Sequence, residues 1–195
     1  MSTAMEREQD RSPDVERAAQ RLSRPRARAA LAAKRTLDVV LALAMLAALA
    51  PLLILVFAML AFGAGEGWFE QRVRLGRHGR PVVLSRFRSL PGGAFGRGLE
   101  RVGARELPLL VAVLRGRLSF VGPRALPPGT GAGHTGPRRL MAPGLTGPAQ
   151  RGCGGDESDT ALDDAYVERW SLWIDARLLV GRCPELHHSV SKSSS

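Results

Sequence analysis

The chain has 195 residues, 45% of them apolar, and a formal net charge of +10. That length allows one modest domain with appendages, and the positive balance calls for an anionic partner: nucleic acid, lipid headgroups or a phosphorylated substrate. Cys153 and Cys183 are the only cysteines. With no Cys-x-x-Cys pair and no histidine at ligand spacing, neither a disulfide framework nor a structural zinc site is expected, and a reducing, cytoplasmic environment fits.

Residues 1–33 mix Glu, Asp, Arg, Ser and Pro with few large apolar side chains. Such a composition buries too little surface to offset ordering entropy, so it reads as a flexible lead. Residues 34–64 read as a membrane anchor. Lys34-Arg35-Thr36-Leu37-Asp38 precedes an uninterrupted apolar run, Val39 to Phe62, long enough as a helix to cross a hydrocarbon core of roughly 30 Å. The run starts late and is too long for a secretory signal. Pro51 lies near its middle, where it removes a helical hydrogen bond and predicts a kink. Basic residues flank both ends (Arg24, Arg26, Arg28, Lys34 and Arg35 before; Arg72, Arg74, Arg77 and Arg80 after). A simple span should carry asymmetric charge, so a helix that breaks near Pro51, dips into one leaflet and returns is expected.

Residues 65–183 read as the folded domain. Pro81 to Leu84 is a strand candidate, and Leu107 to Leu114 is a helix candidate with Pro108 in its first turn. Ala161 to Val180 reads as one helix, with Leu162, Tyr166, Trp170, Trp173 and Ile174 recurring on one face and Asp163, Asp164, Arg177 and Arg182 complementing its dipole. Core packing and a membrane-surface position are both open for its tryptophans. Residues 184–195 read as a flexible tail, and its His187 and His188 receive no role.

Between Glu70 and Arg124 twelve arginines accompany only three glutamates, Glu70, Glu100 and Glu106. Several lie in glycine-containing segments: Gly76-Arg77-His78-Gly79-Arg80, Arg86-Phe87-Arg88-Ser89 and Gly122-Pro123-Arg124. Guanidinium forks and exposed backbone N–H groups suit phosphates. A solvated basic face beside an anionic membrane has the same composition. Gly131-Ala132-Gly133-His134-Thr135-Gly136 fits a dinucleotide fingerprint literally, but Pro127 and Pro128 stand where its strand should be, so it reads as a flexible loop. Nucleic-acid binding is disfavoured because the basic stretch lacks interleaved aromatics and the apolar run would go unexplained.

Taken in order, these blocks resemble the bacterial sugar transferases, monotopic polyprenyl-phosphate phosphoglycosyl transferases. The resemblance is carried by Lys34-Arg35-x-x-Asp38 with its Pro-interrupted apolar run, Gln71 with Arg74-Leu75-Gly76, and Arg86-Phe87-Arg88-Ser89-Leu90. It continues through Glu106-Leu107-Pro108, Gly116 to Arg124, Pro143-Gly144-Leu145-Thr146-Gly147 with Ala149-Gln150, and Tyr166-Val167-x-x-Trp170-Ser171-Leu172-Trp173-x-Asp175. It implies an α/β fold, mainly helical with short strands, comprising a re-entrant membrane helix and a cytoplasmic membrane-surface domain at the bacterial inner membrane. The implied activity is transfer of sugar phosphate from a nucleotide sugar, usually a uridine one, to polyprenyl phosphate, starting glycan or exopolysaccharide assembly with Mg2+. Membrane lipids are the further partners implied, nucleic acid is not one, and a homo-oligomer is compatible. An Asp nucleophile followed by a metal-binding Glu is the family pattern; here those positions are Arg105 and Glu106. Glu106 is thus the catalytic and metal-ligand candidate, and Arg86, Arg88 and Arg124 are the phosphate-holding candidates. A guanidinium is no nucleophile, so the alternative is a catalytically silent member that binds membrane, lipid carrier or partner proteins. The segment after Leu90 also looks shortened, and Ala125 stands where the family has a second proline.

Overall fold

The computed structural model describes residues 13–62, 69–88, 90, 93–101, 103–130, 136–152 and 159–183. Three helices open the described chain: α1 (Pro13–Ser23), α2 (Pro25–Ala48) and α3 (Ala50–Phe62). The helices begin well inside the stretch expected to be a flexible lead. Asp14 and Glu16 in the first turn of α1 and Arg21 in its last suit the helix dipole. Val15 and Ala18 are buried, and the Arg21 guanidinium donates to the Glu168 carbonyl. Small side chains thus suffice to seat a helix whose sequence looked too polar to fold.

Helices α2 and α3 meet at Leu49 with a bend of 59°. Pro51 follows in the first turn of α3, so the break falls where the missing N–H was expected to put it. Among the described residues no single helix is long and apolar enough to cross a membrane, but the bent pair together has the length and composition.

The N-terminal half of α2 is joined to the domain through buried charge. Lys34 Nζ donates to Asp175 Oδ2 (2.6 Å) and to the Val121 carbonyl (2.8 Å). Tyr166 Oη and Trp170 Nε1 also donate to the Asp175 carboxylate, at 2.6 and 3.1 Å. Asp38 accepts from Ser119 Oγ (2.8 Å) and from the Phe120 N–H (3.1 Å). The Arg35 guanidinium donates to the Val113 and Leu114 carbonyls, both at 2.6 Å. Lys34-Arg35-x-x-Asp38 is therefore the joint between the bent helix pair and the rest of the fold. Burial, and then the Asp175 carboxylate, push the Tyr166 hydroxyl well above its ordinary range.

Strands β1 (Phe69–Leu75) and β2 (Pro81–Phe87) form an antiparallel hairpin, with Glu70 opposite Arg86. Its turn absorbs the first glycine-arginine loop. Gly76 donates to the Arg80 carbonyl (2.8 Å), Gly79 to Gly76 (3.1 Å) and Arg80 to Arg77 (3.4 Å), so three N–H groups expected to face phosphate close a turn instead. Helices α4 (Gly93–Arg101) and α5 (Pro108–Leu114) follow, the second with the expected Pro108 in its first turn.

Strands β3 (Ser119–Val121) and β4 (Gly144–Thr146) pair in parallel. Gly122 donates to the Thr146 carbonyl (2.9 Å) and Gly144 to the Pro123 carbonyl (3.0 Å). A Cβ on Gly144 would lie 2.1 Å from the Gly122 nitrogen. These glycines serve a close backbone crossing, and the N–H of Gly122 is not free for phosphate.

The expected single helix over residues 161–180 is two: α6 (Asp159–Arg169) and α7 (Leu172–Leu179). Ser171 breaks it by capping α7, accepting from the Ile174 N–H at 3.4 Å. The tryptophans separate accordingly, Trp170 at 6% exposure and Trp173 at 71%. Cys183 is disulfide-bonded, against the expectation of free thiols. Cys153, residues 131–135 of the glycine-rich loop, and His187 and His188 lie outside the described residues.

Candidate functional site

A cavity of about 560 Å³ lies where the bend between α2 and α3 meets the domain. Met45 and Leu49 of the bend contribute to its apolar lining, with Leu84, Leu107, Leu110 and Phe120. Its polar lining is Arg74, Arg86, Arg124, Gln150 and Glu106. Three guanidinium groups thus accompany one carboxylate in a space that also presents hydrocarbon, a combination suited to an amphiphilic phosphate.

Local sequence explains how the acidic residue arrives there. Gly103 adopts φ 83°, a left-handed conformation that only glycine takes without strain. It starts a 3-10 turn, Ala104–Glu106, in which the Glu106 N–H bonds the Gly103 carbonyl at 2.9 Å, and Pro108 then begins α5. Consecutive residues of the turn diverge. Glu106 lines the cavity and pairs through Oε2 with Arg86 Nε at 2.9 Å. Arg105 is absent from the lining. Its Nε donates to the Phe87 carbonyl (3.1 Å) and its Nη2 to Glu70 Oε2 (3.2 Å).

Glu70 in turn accepts from Arg72 at 2.7 Å. That hydrogen bond first holds its carboxyl below the usual range; desolvation, the next largest effect, opposes it, and the charges of Arg72, Arg105 and Arg86 add to the lowering. Arg124 is held from α6: its N–H donates to Asp163 Oδ2 (2.7 Å) and its guanidinium pairs with Asp159. Burial pushes the Asp163 carboxyl up to about 6, against the hydrogen bond from Arg124. Arg138 reaches Asp164 Oδ2 from the neighbouring 3-10 turn (2.9 Å).

Of the three arginines expected to hold phosphate, the fold therefore brings Arg86 and Arg124 together with Glu106, whereas Arg88 is exposed and outside the lining. Sequence reasoning assigned no role to Arg74, Gln150 or Glu70. The missed signal was strand β1. Phe69, Val73 and Leu75 alternate with Glu70, Arg72 and Arg74, a period of two that puts the three charged residues on one face.

A family model described as bacterial sugar transferase matches residues 29–188. Among curated relatives, the chain is 30% identical over 167 residues to the uncharacterized sugar transferase EpsL of Bacillus subtilis, covering 75% of this chain and 83% of that one. It is 35% identical over 187 residues to the UDP-glucose:undecaprenyl-phosphate glucose-1-phosphate transferase of Caulobacter vibrioides, covering 78% and 69%. Identity to the undecaprenyl-phosphate glucose phosphotransferase of Komagataeibacter xylinus is 30% over 181 residues, and there the match spans 75% of this chain but only 34% of the longer relative. This chain belongs to the bacterial sugar transferase family.

Proposed function

From that membership as premise, we propose that the cavity receives a nucleotide diphosphate sugar of the uridine class and polyprenyl phosphate, the substrates of sugar-phosphate transfer that initiates glycan or exopolysaccharide assembly. The observation that carries this reading is the single cavity shared by the anchor bend and the arginines: Met45 and Leu49 offer hydrocarbon contact to a polyprenyl chain, and Arg74, Arg86 and Arg124 offer charge to its phosphate and to a pyrophosphate. In this reading α2 and α3 enter one leaflet of the inner membrane as a re-entrant pair, leaving the domain on the cytoplasmic side. Exposed Leu43, Ile54, Leu55 and Phe57 supply the lipid-facing surface.

The reaction for which such a site is built has two displacements. A carboxylate oxygen attacks the sugar-linked phosphorus, and the bond to the bridging oxygen breaks with its electron pair on the departing nucleoside monophosphate. A polyprenyl phosphate oxygen then attacks the same phosphorus and frees the carboxylate. Among the described residues no group of three or more His, Cys, Asp or Glu is arranged to hold a metal, and Glu106 is the one carboxylate lining the cavity. That donor set fits a magnesium ion carried by the pyrophosphate, which needs only one or two protein carboxylates. Glu106 would hold it, and the ion would neutralise charge on the leaving phosphate.

Position 105 favours a second reading, binding without turnover. Arg105 supplies no nucleophile and its guanidinium is engaged by Glu70 and the Phe87 carbonyl. We infer that the native chain binds both substrates and transfers little or nothing. The test uses membranes carrying the full chain, washed at high salt, then given nucleotide sugar, polyprenyl phosphate and magnesium. The protein should stay with the membranes, because salt weakens charge attraction and not apolar burial, and nucleoside monophosphate release should be at background. Extraction by salt alone would refute the anchor. Robust release by the native chain would overturn the silent reading, and a phosphosugar adduct trapped on Glu106 would show that this carboxylate attacks.

A further inference from the structure

The two faces of the β1–β2 hairpin carry opposite chemistry, and they are turned the wrong way round for a sheet in water. Residues directly opposite in an antiparallel pair share a face. Glu70, Arg72 and Arg74 therefore stand with Leu84 and Arg86 on one side, and Phe69 and Val73 stand with Phe87 and Val83 on the other. Arg74, Leu84 and Arg86 of the first side line the cavity. Phe69, Val73 and Val83 of the second side are not in that lining and are 41, 47 and 42% exposed, with Val73 directly opposite Val83. An antiparallel sheet with one face in water ordinarily buries its apolar face and presents the polar one. This hairpin does the reverse.

Ring contacts tie the outward face to helix α3. The Phe87 ring stacks on Phe69 with centroids 5.3 Å apart and meets Phe57 of α3 edge-on at 5.5 Å. Phe57 precedes the end of α3 at Phe62 by more than one turn, so the base of the hairpin lies level with a point about 7 Å inside the helix end. Exposed Ile54, Leu55 and Phe57 thus continue through Phe87 onto Phe69. The opposite end of the hairpin is different in kind: Arg77 and His78 of its turn line a separate cavity with Arg28 and Leu31, from the first turns of α2 and outside the apolar run.

Resting on the re-entrant reading of α2 and α3 above, we propose that the outward face of the hairpin, Phe69, Val73 and Val83, is a second lipid-contacting surface. The base of the hairpin meets the boundary between acyl chains and headgroups beside α3, and the strands lead from there toward the cytoplasm. Removal of this apolar area from water stabilises the contact. The inverted hairpin then acts as a wall, with hydrocarbon on its apolar side and the arginine-lined cavity on its charged side. Lipid is the occupant because the face continues a helix surface that the same leaflet covers. Each strand residue rises by about 3.4 Å, so Phe69 lies deeper than Val73.

The experiment places a nitroxide spin label on Ile54→Cys, Phe69→Cys, Val73→Cys, Val83→Cys and Arg72→Cys, one at a time, in the full chain in vesicles of phosphatidylethanolamine and phosphatidylglycerol. The unsubstituted chain is the blank. Relaxation of each label by oxygen, which concentrates in hydrocarbon, is compared with relaxation by a water-soluble nickel chelate. Ile54 reads the re-entrant helix pair, and Arg72 reads the charged face of the same strand. The ratio of oxygen to nickel access should be high at Ile54 and Phe69, intermediate at Val73 and Val83, and lowest at Arg72. Phe69, whose ring stacks on Phe87, is the position where a label could disturb packing, so exposed Val73 and Val83 decide the outcome on their own. A ratio at Val73 and Val83 equal to that at Arg72, with a high ratio at Ile54, would overturn the hairpin surface and leave the helix pair in the membrane. A low ratio at Ile54 as well would overturn the re-entrant reading itself. Shielding of Val73 and Val83 from both reagents would mean that protein, such as a second copy of the chain, covers the face, and would equally overturn the lipid assignment.

Discussion

Two ionic clusters join helix α2 and the hairpin to the rest of the molecule, and they obey different rules. At the joint, Lys34 and Asp175 are each more than nine-tenths buried, and the oxygens of Asp175 accept from Lys34, Tyr166 and Trp170. In the hairpin and the 3-10 turn, Glu70, Arg72, Arg86, Arg105 and Glu106 are one-third to one-half exposed, with Glu70 paired to Arg72 and Arg105 and Arg86 paired to Glu106. Charge withdrawn from water must be fully partnered or it costs several kcal/mol, whereas exposed pairs are screened and contribute little to stability. The first cluster is thus committed to structure. The second is screened by water, so a change of side chain there should cost the surrounding fold little.

Breaking the joint should have the largest effect. Lys34→Ala leaves a buried carboxylate without its cation and should destabilise the protein by about 3–5 kcal/mol, read as a lowered denaturation midpoint in detergent or nanodiscs. Arg105→Ala, which removes a cation from the exposed cluster, should move that midpoint far less. A comparable loss from both would erase the distinction between the clusters.

A smaller effect should appear at Asp163 of α6, which accepts from the Arg124 N–H. Its folded pKa, about 6, is raised above the ordinary carboxylate value because burial penalises the charged form. The folded state therefore binds its proton more tightly than the unfolded state does. The stability this contributes is fully present below the ordinary carboxylate range and is lost as pH rises to about 6. Asp163→Asn should flatten the fall in stability over that window, checked by melting at several pH values, at the expense of the hydrogen bond from the Arg124 N–H to a charged acceptor.

The contrast between the clusters also accounts for what the sequence made legible. The Pro51 break, the Pro108 helix and the family blocks could be read because each depends on local chemistry or on the order of residues along the chain. Helix α1 was missed because tertiary contacts of Val15 and Ala18 seat it, and the break at Ser171 was hidden inside a run that kept helical spacing. Gly122 looked like part of a phosphate loop because a close backbone crossing and an anion nest both require glycine. The grouping at the candidate site was half visible. Arg86, Arg124 and Glu106 could be named from their motifs, but the pairing of Arg105 with Glu70 joins residues 35 positions apart. No local pattern announces such a pair until the hairpin and the 3-10 turn are set side by side.

The claim that one cavity serves both hydrocarbon and phosphate is tested most directly by equilibrium binding of polyprenyl phosphate to the full chain in nanodiscs, compared with Arg86→Ala. Loss of a hydrogen bond to a charged group costs about 1.5–3 kcal/mol. The native chain should therefore bind saturably, and the variant should bind roughly 10- to 100-fold more weakly. Absence of saturable binding by the native chain, or equal affinity in the variant, would contradict the account.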